Sequence, residues 1–368
     1  MSEKSIQIVA FNNPYPADFG GAIDMFYKVK ALHHLGIKVF LHIFYDKRHD
    51  ISGIRTYCEE VYLYKRKKGV LNHLSFQPFS VISRKSKKLI ERLKATDAPI
   101  LIESLRSCAL LENETFSQKI AVRNHNIEHD YSWGLSKSES SWIGKLAHFV
   151  EGYKQKKFER ILNKADILFN ISKHEQSYFK TNYQSKSMFL NVFQGYESIK
   201  SKNGFGKYAL YHGDLTTSDN IKSALFLIKV FKKTKIPFII AGSKLPNAIN
   251  KLIKDSKNIS FAEISEPQQL QELIENAHVN TLYSFQRSGT KLKVFAALFN
   301  GRHCILNKNI IDDKNILNVC KVAETGNVYR DAVTAIFKEE FKLTENRKRA
   351  LAAYNDLKNA KIIIENLL

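Results

Sequence analysis

Short apolar runs alternate with amphipathic stretches through the first part of the chain. Continuous apolar runs of this length are typical of buried strands in a parallel sheet, and the stretches between them have the spacing of helices that cover such a sheet. The pattern predicts strands at 6–11, 38–44, 59–64, 99–104, 119–124 and 165–172, and helices at 22–35 and 142–163.

A second alternating series follows the polar, glycine-containing segment 200–207, which we interpret as the connection between two domains. This series predicts strands at 208–215, 236–242, 259–263, 279–285 and 302–307, and residues 331–368 are mostly helical. The pattern favours an α/β protein with two doubly wound, Rossmann-like domains at 1–202 and 203–340 and a C-terminal helix within 341–368. We expect a ligand where the carboxyl ends of the strands face the cleft between the domains.

The charge of the chain widens the choice of partners. Its 368 residues include 57 Lys and Arg against 36 Asp and Glu, a formal net charge of +21. Such a surface attracts polyanions, either nucleic acid or an anionic membrane face. No nucleic-acid-binding signature accompanies the charge, so a role in nucleic-acid binding would depend on charge alone.

Compartment and redox state follow from what the sequence lacks. No apolar run reaches the roughly 18 residues of a membrane span, and the N-terminal segment does not have a signal-peptide pattern. The four cysteines are scattered, which disfavours a disulfide framework or a zinc site. We therefore expect a cytoplasmic protein.

One short motif suggests zinc chemistry. His125, Glu128 and His129 form H-x-x-E-H, which one class of zinc peptidases uses on a helix. Here His125 directly follows a predicted strand and is flanked by Asn124 and Asn126, which favour turns. A loop at a strand end suits substrate contact better than zinc ligation, so we expect His125 to contact substrate.

Glycines stand at three predicted strand-to-helix junctions. Gly20 and Gly21 precede the first helix, Gly213 precedes a helix that Ser218 or Asp219 is expected to cap, and Gly289 precedes a helix expected to carry Lys291 and Lys293. Glycine lets a ligand approach backbone amides, and amides with one or two cations are what a diphosphate requires.

In this order, the segments resemble the GT-B glycosyltransferases, in particular the retaining family 4. The matching stretches are "FGGA", "RNHNIEHDY", "FERILNKADILFNIS", "YHGDL…DN" and "GTKLKVFAALFNGRHCI", within 12–305. The resemblance implies an acceptor-side N-terminal domain, a C-terminal domain that binds a nucleotide-sugar, and final helices that return to the N-terminal domain. It also implies a glycan or lipid-linked acceptor, no metal or organic cofactor, and a donor for which UDP or GDP is our guess.

The resemblance assigns roles to individual residues. Gly20 and Gly21 would lie nearest the diphosphate and the transferred sugar, His125 would sit at the reaction centre, and Gly213 would adjoin the nucleotide. The donor would be held by the stretch that contains Arg287, Ser288, Gly289, Thr290, Lys291 and Lys293.

The chain departs from the family pattern at the E-x₇-E pair, whose carboxylates fall on Ser288 and Ala296. Asp214 also replaces a common arginine. A hydrogen bond to a charged group contributes about 1.5–3 kcal/mol, so the loss weakens a donor site by about one to two decades of affinity. We expect an active transferase, at the inner face of the cytoplasmic membrane. The alternatives are a GT-B-shaped pseudoenzyme that binds a glycan or protein, and a sugar-nucleotide epimerase of the same fold.

Overall fold

A computed structural model describes residues 4–69, 72 and 75–368. The described chain divides into two compact units. Unit 1 comprises the described residues of 4–136 together with 146–195 and 354–368, and unit 2 comprises 137–145 and 196–353. Two α/β units of this kind are what the alternating sequence pattern predicts.

Unit 1 is built on a parallel sheet. Within the described residues this sheet has seven strands, in the order β3-β2-β1-β4-β5-β6-β7. The strands are β1 (Ser5–Ala10), β2 (Lys38–Tyr45), β3 (Glu60–Lys65), β4 (Ile100–Glu103), β5 (Ile120–Asn124), β6 (Ile167–Asn170) and β7 (Lys186–Phe189). Every neighbouring pair is parallel. Six of these strands were predicted; β7 was not, because its short run "KSMF" mixes polar and apolar residues and is only partly buried at the sheet edge.

Helices cover both faces of this sheet. Successive residues of β1 alternate between faces, so Ile8 packs with Met25 and Val29 in one core cluster while Val9 packs with Leu89 in another. The helices are α1 (Gly20–His34), α2 (Ser52–Arg55), α3 (Phe79–Ile82), α4 (Lys87–Lys94), α5 (Glu128–Ser138), α6 (Trp142–Phe158) and α7 (Lys173–Asn182), with 3₁₀ helices at Leu105–Leu111 and Glu159–Lys164. The predicted helix 142–163 therefore continues into a 3₁₀ helix after Phe158. The end of α5 and the first turn of α6 fall within 137–145, which is grouped with unit 2.

Unit 2 repeats the architecture. Its sheet, in the part of the chain that the structure describes, has six parallel strands in the order β10-β9-β8-β11-β12-β13. The strands are β8 (Ala209–His212), β9 (Phe238–Gly242), β10 (Ile259–Glu263), β11 (Val279–Leu282), β12 (His303–Leu306) and β13 (Lys321–Val322), and the helices are α8 (Ser218–Phe231), α9 (Asn247–Ile253), α10 (Pro267–Asn276), α11 (Lys293–Asn300), α12 (Lys314–Asn318), α13 (Gly326–Ile336) and α14 (Glu345–Ala352). The sequence did not predict β13, which is only two residues long.

The last helix, α15 (Asp356–Leu367), is part of unit 1, where Ala360, Ile363 and Leu367 join the core beside α1. By contrast α14 stays in unit 2, because the buried Arg347 donates to the carbonyls of Leu298 and Gly301. Apart from the segment 137–145, the units divide at 195/196 and 353/354, whereas the sequence analysis placed boundaries at 202/203 and 340/341. The first boundary lies earlier because the Lys200 amide donates to the Phe299 carbonyl of unit 2.

Among the described residues, no helix combines the length and the apolar character that crossing a membrane requires.

Candidate functional site

Each sheet has a point where the strand order changes direction. In unit 1, β1 lies between β2 and β4, and in unit 2, β8 lies between β9 and β11. Chain connections leave such a point in opposite directions, which opens a crevice at the carboxyl ends of the strands where α/β proteins bind ligands. The predicted site residues fall near these two points.

In unit 1, His125 follows directly after β5, and Glu103 is the last residue of the adjacent strand β4. The Nε2 atom of His125 lies 2.8 Å from Oε2 of Glu103. An ionised carboxylate only accepts hydrogen bonds, so Nε2 carries the proton and Nδ1 faces away from Glu103. The strand ends thus fix the orientation of the His125 ring.

Gly21, at the first strand-to-helix junction, lies close to His125 because both residues adjoin the Phe11 ring. The Phe11 ring packs edge-on against His125, with centroids 5.5 Å apart. A Cβ atom on Gly21 would lie 2.7 Å from the Phe11 ring, so any side chain there would displace it. Gly20 is exposed and begins α1, as the sequence predicts for a helix entrance. Gly20, Gly21 and His125 therefore belong to one neighbourhood.

Beneath His125 lies a buried ionic network. Lys28 donates to Glu103 at 2.6 Å and to Asp24 at 3.0 Å, and Arg123 donates to Asp24 at 3.0 Å. All four side chains are fully buried. Arg123 also donates to the carbonyls of Leu190 and Asn191. Two carboxylates and two cations therefore neutralise each other within the core.

The network keeps both carboxylates ionised. Burial alone would raise the pKa of Asp24, but Arg123 and Lys28 outweigh it and hold that pKa far below its usual value. Burial likewise opposes ionisation of Glu103, and Lys28 and His125 lower its pKa. An ionised Glu103 keeps accepting from His125, which maintains the ring orientation.

The same residues raise the question of a metal. Ligand atoms of Asp24, Glu103 and His125 lie within 4.8 Å of one another. However, Lys28 donates to both carboxylates and Arg123 donates to Asp24. A divalent cation would have to displace these ammonium and guanidinium groups, so the donor set does not fit a metal ion.

The three residues of H-x-x-E-H contact three different sets of partners. His125 contacts Glu103, Glu128 accepts from Arg106 at 2.7 Å, and His129 lies 3.3 Å from Glu159. Glu128 is the first residue of α5, and His125 precedes that helix. The histidines therefore do not lie one turn apart on a helical face, which is what a zinc site of this type requires.

In unit 2, the structure brings Gly213 and Lys293 together. Lys293, the first residue of α11, donates to the side chain of Asn220 at 3.1 Å, and its ammonium lies 4.8 Å from the Tyr211 ring centroid. A Cβ atom on Gly213 would lie 3.2 Å from the Lys293 ammonium. Glycine at 213 therefore leaves room for this cation beside the end of β8.

Burial controls the charge of the groups at this point. It lowers the pKa of Lys293 to about 8, with Asp219 and Asp214 opposing the shift. Burial and the nearby Lys293 also lower the pKa of His212 to about 3, so His212 is neutral at physiological pH. Lys293 is thus a cation whose charge depends on its surroundings, and an anionic ligand would favour its protonated form.

Asp219 has a different role from the one the sequence suggested. Neither Ser218 nor Asp219 caps α8; the N-cap position is occupied by Thr217, whose side chain makes no capping hydrogen bond. One oxygen of Asp219 accepts from Ser284 at 3.1 Å. The other is buried and has no hydrogen-bond partner among the described residues. Asp219 thus links the first turn of α8 to the segment that follows β11.

The loop 287–292 also differs from the prediction. Helix α11 begins at Lys293, so Lys291 lies in the loop, where its amide donates to the Ile310 carbonyl and its ammonium donates to the Ser288 carbonyl. Gly289 has φ of +73°, a conformation that favours glycine. Arg287 is exposed and Ser288 is buried, while Thr290 is partly buried. Lys293, unlike Lys291, extends toward Gly213.

The two positions of the missing carboxylates are both buried. Ser288 is 7% exposed, and Ala296 lies within α11 against the apolar side chains of Leu210 and Ala241. Ala296 therefore supplies a core methyl group at the position where the E-x₇-E pattern has a carboxylate.

Sequence reasoning missed several polar residues of both sites. The signal was present in two forms: a polar residue that ends an apolar strand, as for Glu103 and His212, and a charged pair four residues apart in a helix that is otherwise largely apolar, as for Asp24 and Lys28. Asn220 and Ser284 carry no such signal, because polar residues are common in loops and first helical turns.

No family model matches the chain. Over 323 residues it is 25% identical to "Uncharacterized 44.6 kDa protein in cps region" of Klebsiella pneumoniae, with 80% of each chain covered. Among solved structures, it is similar to a sucrose-phosphate synthase from Thermosynechococcus elongatus, with a TM-score of 0.70, 15% identity and 98% of each chain covered. The chain has the GT-B fold.

Two further GT-B structures agree along their whole length. TarM, which has also been solved from S. aureus as a mutant with UDP and alpha-GlcNAc-glycerol, gives a TM-score of 0.64 at 12% identity, with 100% of this chain and 97% of that one covered. The alpha,alpha-trehalose-phosphate synthase (UDP-forming) from Burkholderia vietnamiensis gives 0.60 at 9% identity, with 99% of each chain covered. At these identities the likeness establishes the GT-B fold.

Proposed function

We propose that this chain transfers a sugar from a nucleoside diphosphate sugar to a glycan or lipid-linked acceptor, with retention of configuration. The observation that carries the proposal is the cation Lys293 beside Gly213, at the point where the sheet of unit 2 changes direction. Several solved GT-B structures are named as synthases or transferases of sugars, which agrees with this chemistry.

Unit 2 would bind the donor. The Lys293 ammonium and the positive ends of α8 and α11 would carry the charge of the diphosphate, and Gly213 would allow it to approach the backbone. Lys291 would act indirectly by holding the Ser288 carbonyl and so the shape of the loop. In this proposal these groups serve without a metal ion, and the nucleotide is UDP or GDP.

Asp219 offers a replacement for a missing carboxylate. One oxygen of its carboxylate accepts from Ser284. The other oxygen is buried and has no hydrogen-bond partner among the described residues. A hydroxyl of the nucleotide ribose is a donor of the kind this oxygen lacks, and a hydrogen bond to a charged acceptor contributes about 1.5–3 kcal/mol. Asp219 would thereby compensate for Ala296, while no carboxylate compensates for Ser288.

Unit 1 would bind the acceptor, with His125 at the reaction centre. Because Glu103 holds Nε2, Nδ1 is the atom available to contact the sugar or the acceptor hydroxyl. In the reaction the bond between the anomeric carbon and the diphosphate oxygen breaks, and the acceptor oxygen bonds to that carbon on the same face. The hydroxyl proton passes to the departing diphosphate. His125 would position the hydroxyl for this step.

The proposal is tested by turnover. The purified protein is incubated with a donor, UDP-glucose or GDP-mannose, and an acceptor, octyl glucoside or a lipid extract. The release of nucleoside diphosphate is measured over time, and the anomeric configuration of the product is determined by NMR. Release that requires an acceptor and gives a glycoside of the donor's anomeric configuration supports the proposal. An isomerised nucleotide sugar would indicate an epimerase instead.

A second candidate function is a GT-B-shaped pseudoenzyme that binds a glycan or protein without turnover. Ser288 and Ala296, which replace both carboxylates of the family pattern, favour it. The two candidates separate in one experiment. A pseudoenzyme binds no nucleotide, or binds one without releasing sugar in the presence of any acceptor.

A further inference from the structure

Helix α6 exposes a continuous apolar face. Six large apolar or aromatic side chains on this helix are 40–73% exposed: Trp142, Ile143, Leu146, Phe149, Val150 and Tyr153. At 3.6 residues per turn these positions fall within an arc of about 120°. Isolated exposed apolar residues are ordinary, but a contiguous apolar surface indicates an interaction site. We call these six residues the α6 stripe.

The inner side of α6 is held by polar contacts. Glu151 accepts from the backbone amides of Phe79 and Ser80 at 3.0 Å, and Gln155 accepts from Ser132 at 2.7 Å. Gly152 is buried against the Trp133 indole, which a Cβ atom would contact at 2.5 Å. The polarity of α6 is therefore inverted: an ordinary surface helix buries its apolar face and exposes its polar one.

Basic residues surround the α6 stripe. Lys145 and Lys154 flank it on α6, and Lys157 lies over the Tyr153 ring at 4.7 Å. The acidic Glu151 is turned inward to α3, so it does not offset them. Further along unit 1, the Lys67 amide donates to the Ser83 carbonyl just after α3, so the exposed Lys65 and Lys67 lie on the same unit as the stripe. Lys145, Lys154 and Lys157 of α6 give the stripe cationic neighbours.

We propose that the α6 stripe lies in the surface of an anionic lipid bilayer, with α6 parallel to the membrane plane. An apolar face with Trp, Phe and Leu beside lysines is the composition of helices that bind in this way, and aromatic side chains such as Trp142 and Tyr153 favour the headgroup region. The exposed face of one helix also suits a lipid surface, whereas a second protein would have to supply a groove. The inference does not depend on sugar transfer, although it would bring a lipid-linked acceptor to unit 1.

The test is flotation with vesicles of phosphatidylcholine alone and of phosphatidylcholine mixed with phosphatidylglycerol. We expect binding to the anionic vesicles, weaker binding to the neutral ones, and loss of binding at high salt. The double variant L146Q/F149Q should bind at least about tenfold more weakly because it removes two inserting side chains. Val328→Gln, which changes an apolar residue 50% exposed on α13 of unit 2, is the matched control and should bind like the wild type.

The native tryptophan gives a second readout. Vesicle binding should shift the fluorescence of Trp142 to the blue, and Trp142→Phe should abolish the shift, since the other tryptophan, Trp133, packs against Gly152. Absence of flotation with the anionic vesicles, or equal flotation of wild type and L146Q/F149Q, would overturn the proposal. A dimer in light scattering that L146Q/F149Q converts to a monomer, without vesicle binding, would show that the stripe binds a second copy instead.

Discussion

The Nε2 atom of His125 lies 2.8 Å from Oε2 of Glu103, at the carboxyl ends of adjacent parallel strands. Glu103 in turn accepts from the buried Lys28, which contacts Asp24. The ring at the proposed reaction centre is thus anchored to an ionic network in the core of unit 1. Stability and activity should therefore respond differently to changes at the two ends of this contact.

Glu103→Gln should destabilise the protein. The substitution leaves two buried cations opposite one carboxylate, and breaking a buried ion pair from one side costs about 3–5 kcal/mol. Urea unfolding measures the change in the free energy of unfolding. Glu91→Gln, on the exposed side of α4, is the matched control and should change it by less than about 0.5 kcal/mol. A loss as small as that of the control would mean that the network does not stabilise unit 1.

His125→Ala should lower turnover and leave nucleotide binding unchanged. His125 belongs to the acceptor side of the proposal, and loss of a positioning group costs on the order of 100-fold in rate. The measurements are turnover with the donor and acceptor found active and calorimetric titration with the nucleotide. His49→Ala, at an exposed histidine of unit 1, serves as the control. An equal loss of nucleotide affinity in His125→Ala would contradict the division of roles between the units.

The sequence predicted both doubly wound units and eleven of the strands because buried strands in parallel sheets are uninterrupted apolar runs, as in β1 and β12. It missed β7 and β13, where pairing with the neighbouring strand compensates for weak local preference. It placed Gly21, His125 and Gly213 after predicted strands and Lys293 on the helix that follows Gly289, and the family resemblance supplied their expected roles. It could not supply the partners of His125 and Lys293, because Glu103 and Asn220 are brought to them by the tertiary fold, across 22 and 73 residues.

Nucleotide affinity should fall as the pH rises through about 8. In the proposed donor site the protonated form of Lys293 binds the diphosphate, and burial lowers the pKa of this lysine to about 8. Below that value the lysine is charged and affinity is nearly constant; above it, affinity falls by up to about tenfold per pH unit. Titrations in buffers of different ionisation enthalpy near pH 8 should also show proton uptake on binding. Affinity independent of pH up to about 9, without proton uptake, would contradict a direct role for this lysine.

Ala296→Glu should not restore a donor carboxylate. The methyl group of Ala296 packs in an apolar cluster with Leu210 and Ala241, so a glutamate there loses water without gaining a partner. We expect a loss of several kcal/mol in the free energy of unfolding, measured with urea. Ala248→Glu, at an exposed position of α9, is the control and should be nearly neutral. Tighter nucleotide binding in Ala296→Glu with unchanged stability would show that Asp219 does not take over this role.

The most direct test of the account is calorimetric titration of the wild type, Lys293→Met and Lys229→Met with UDP, GDP and ADP. Lys229 is exposed in the last turn of α8, at the opposite end from Gly213, and matches the charge change. The account predicts saturable binding of one nucleotide, weakened at least about tenfold by Lys293→Met and unaffected by Lys229→Met. Equal binding by all three proteins, or no binding of any nucleotide by a folded wild type, would contradict a donor site in unit 2.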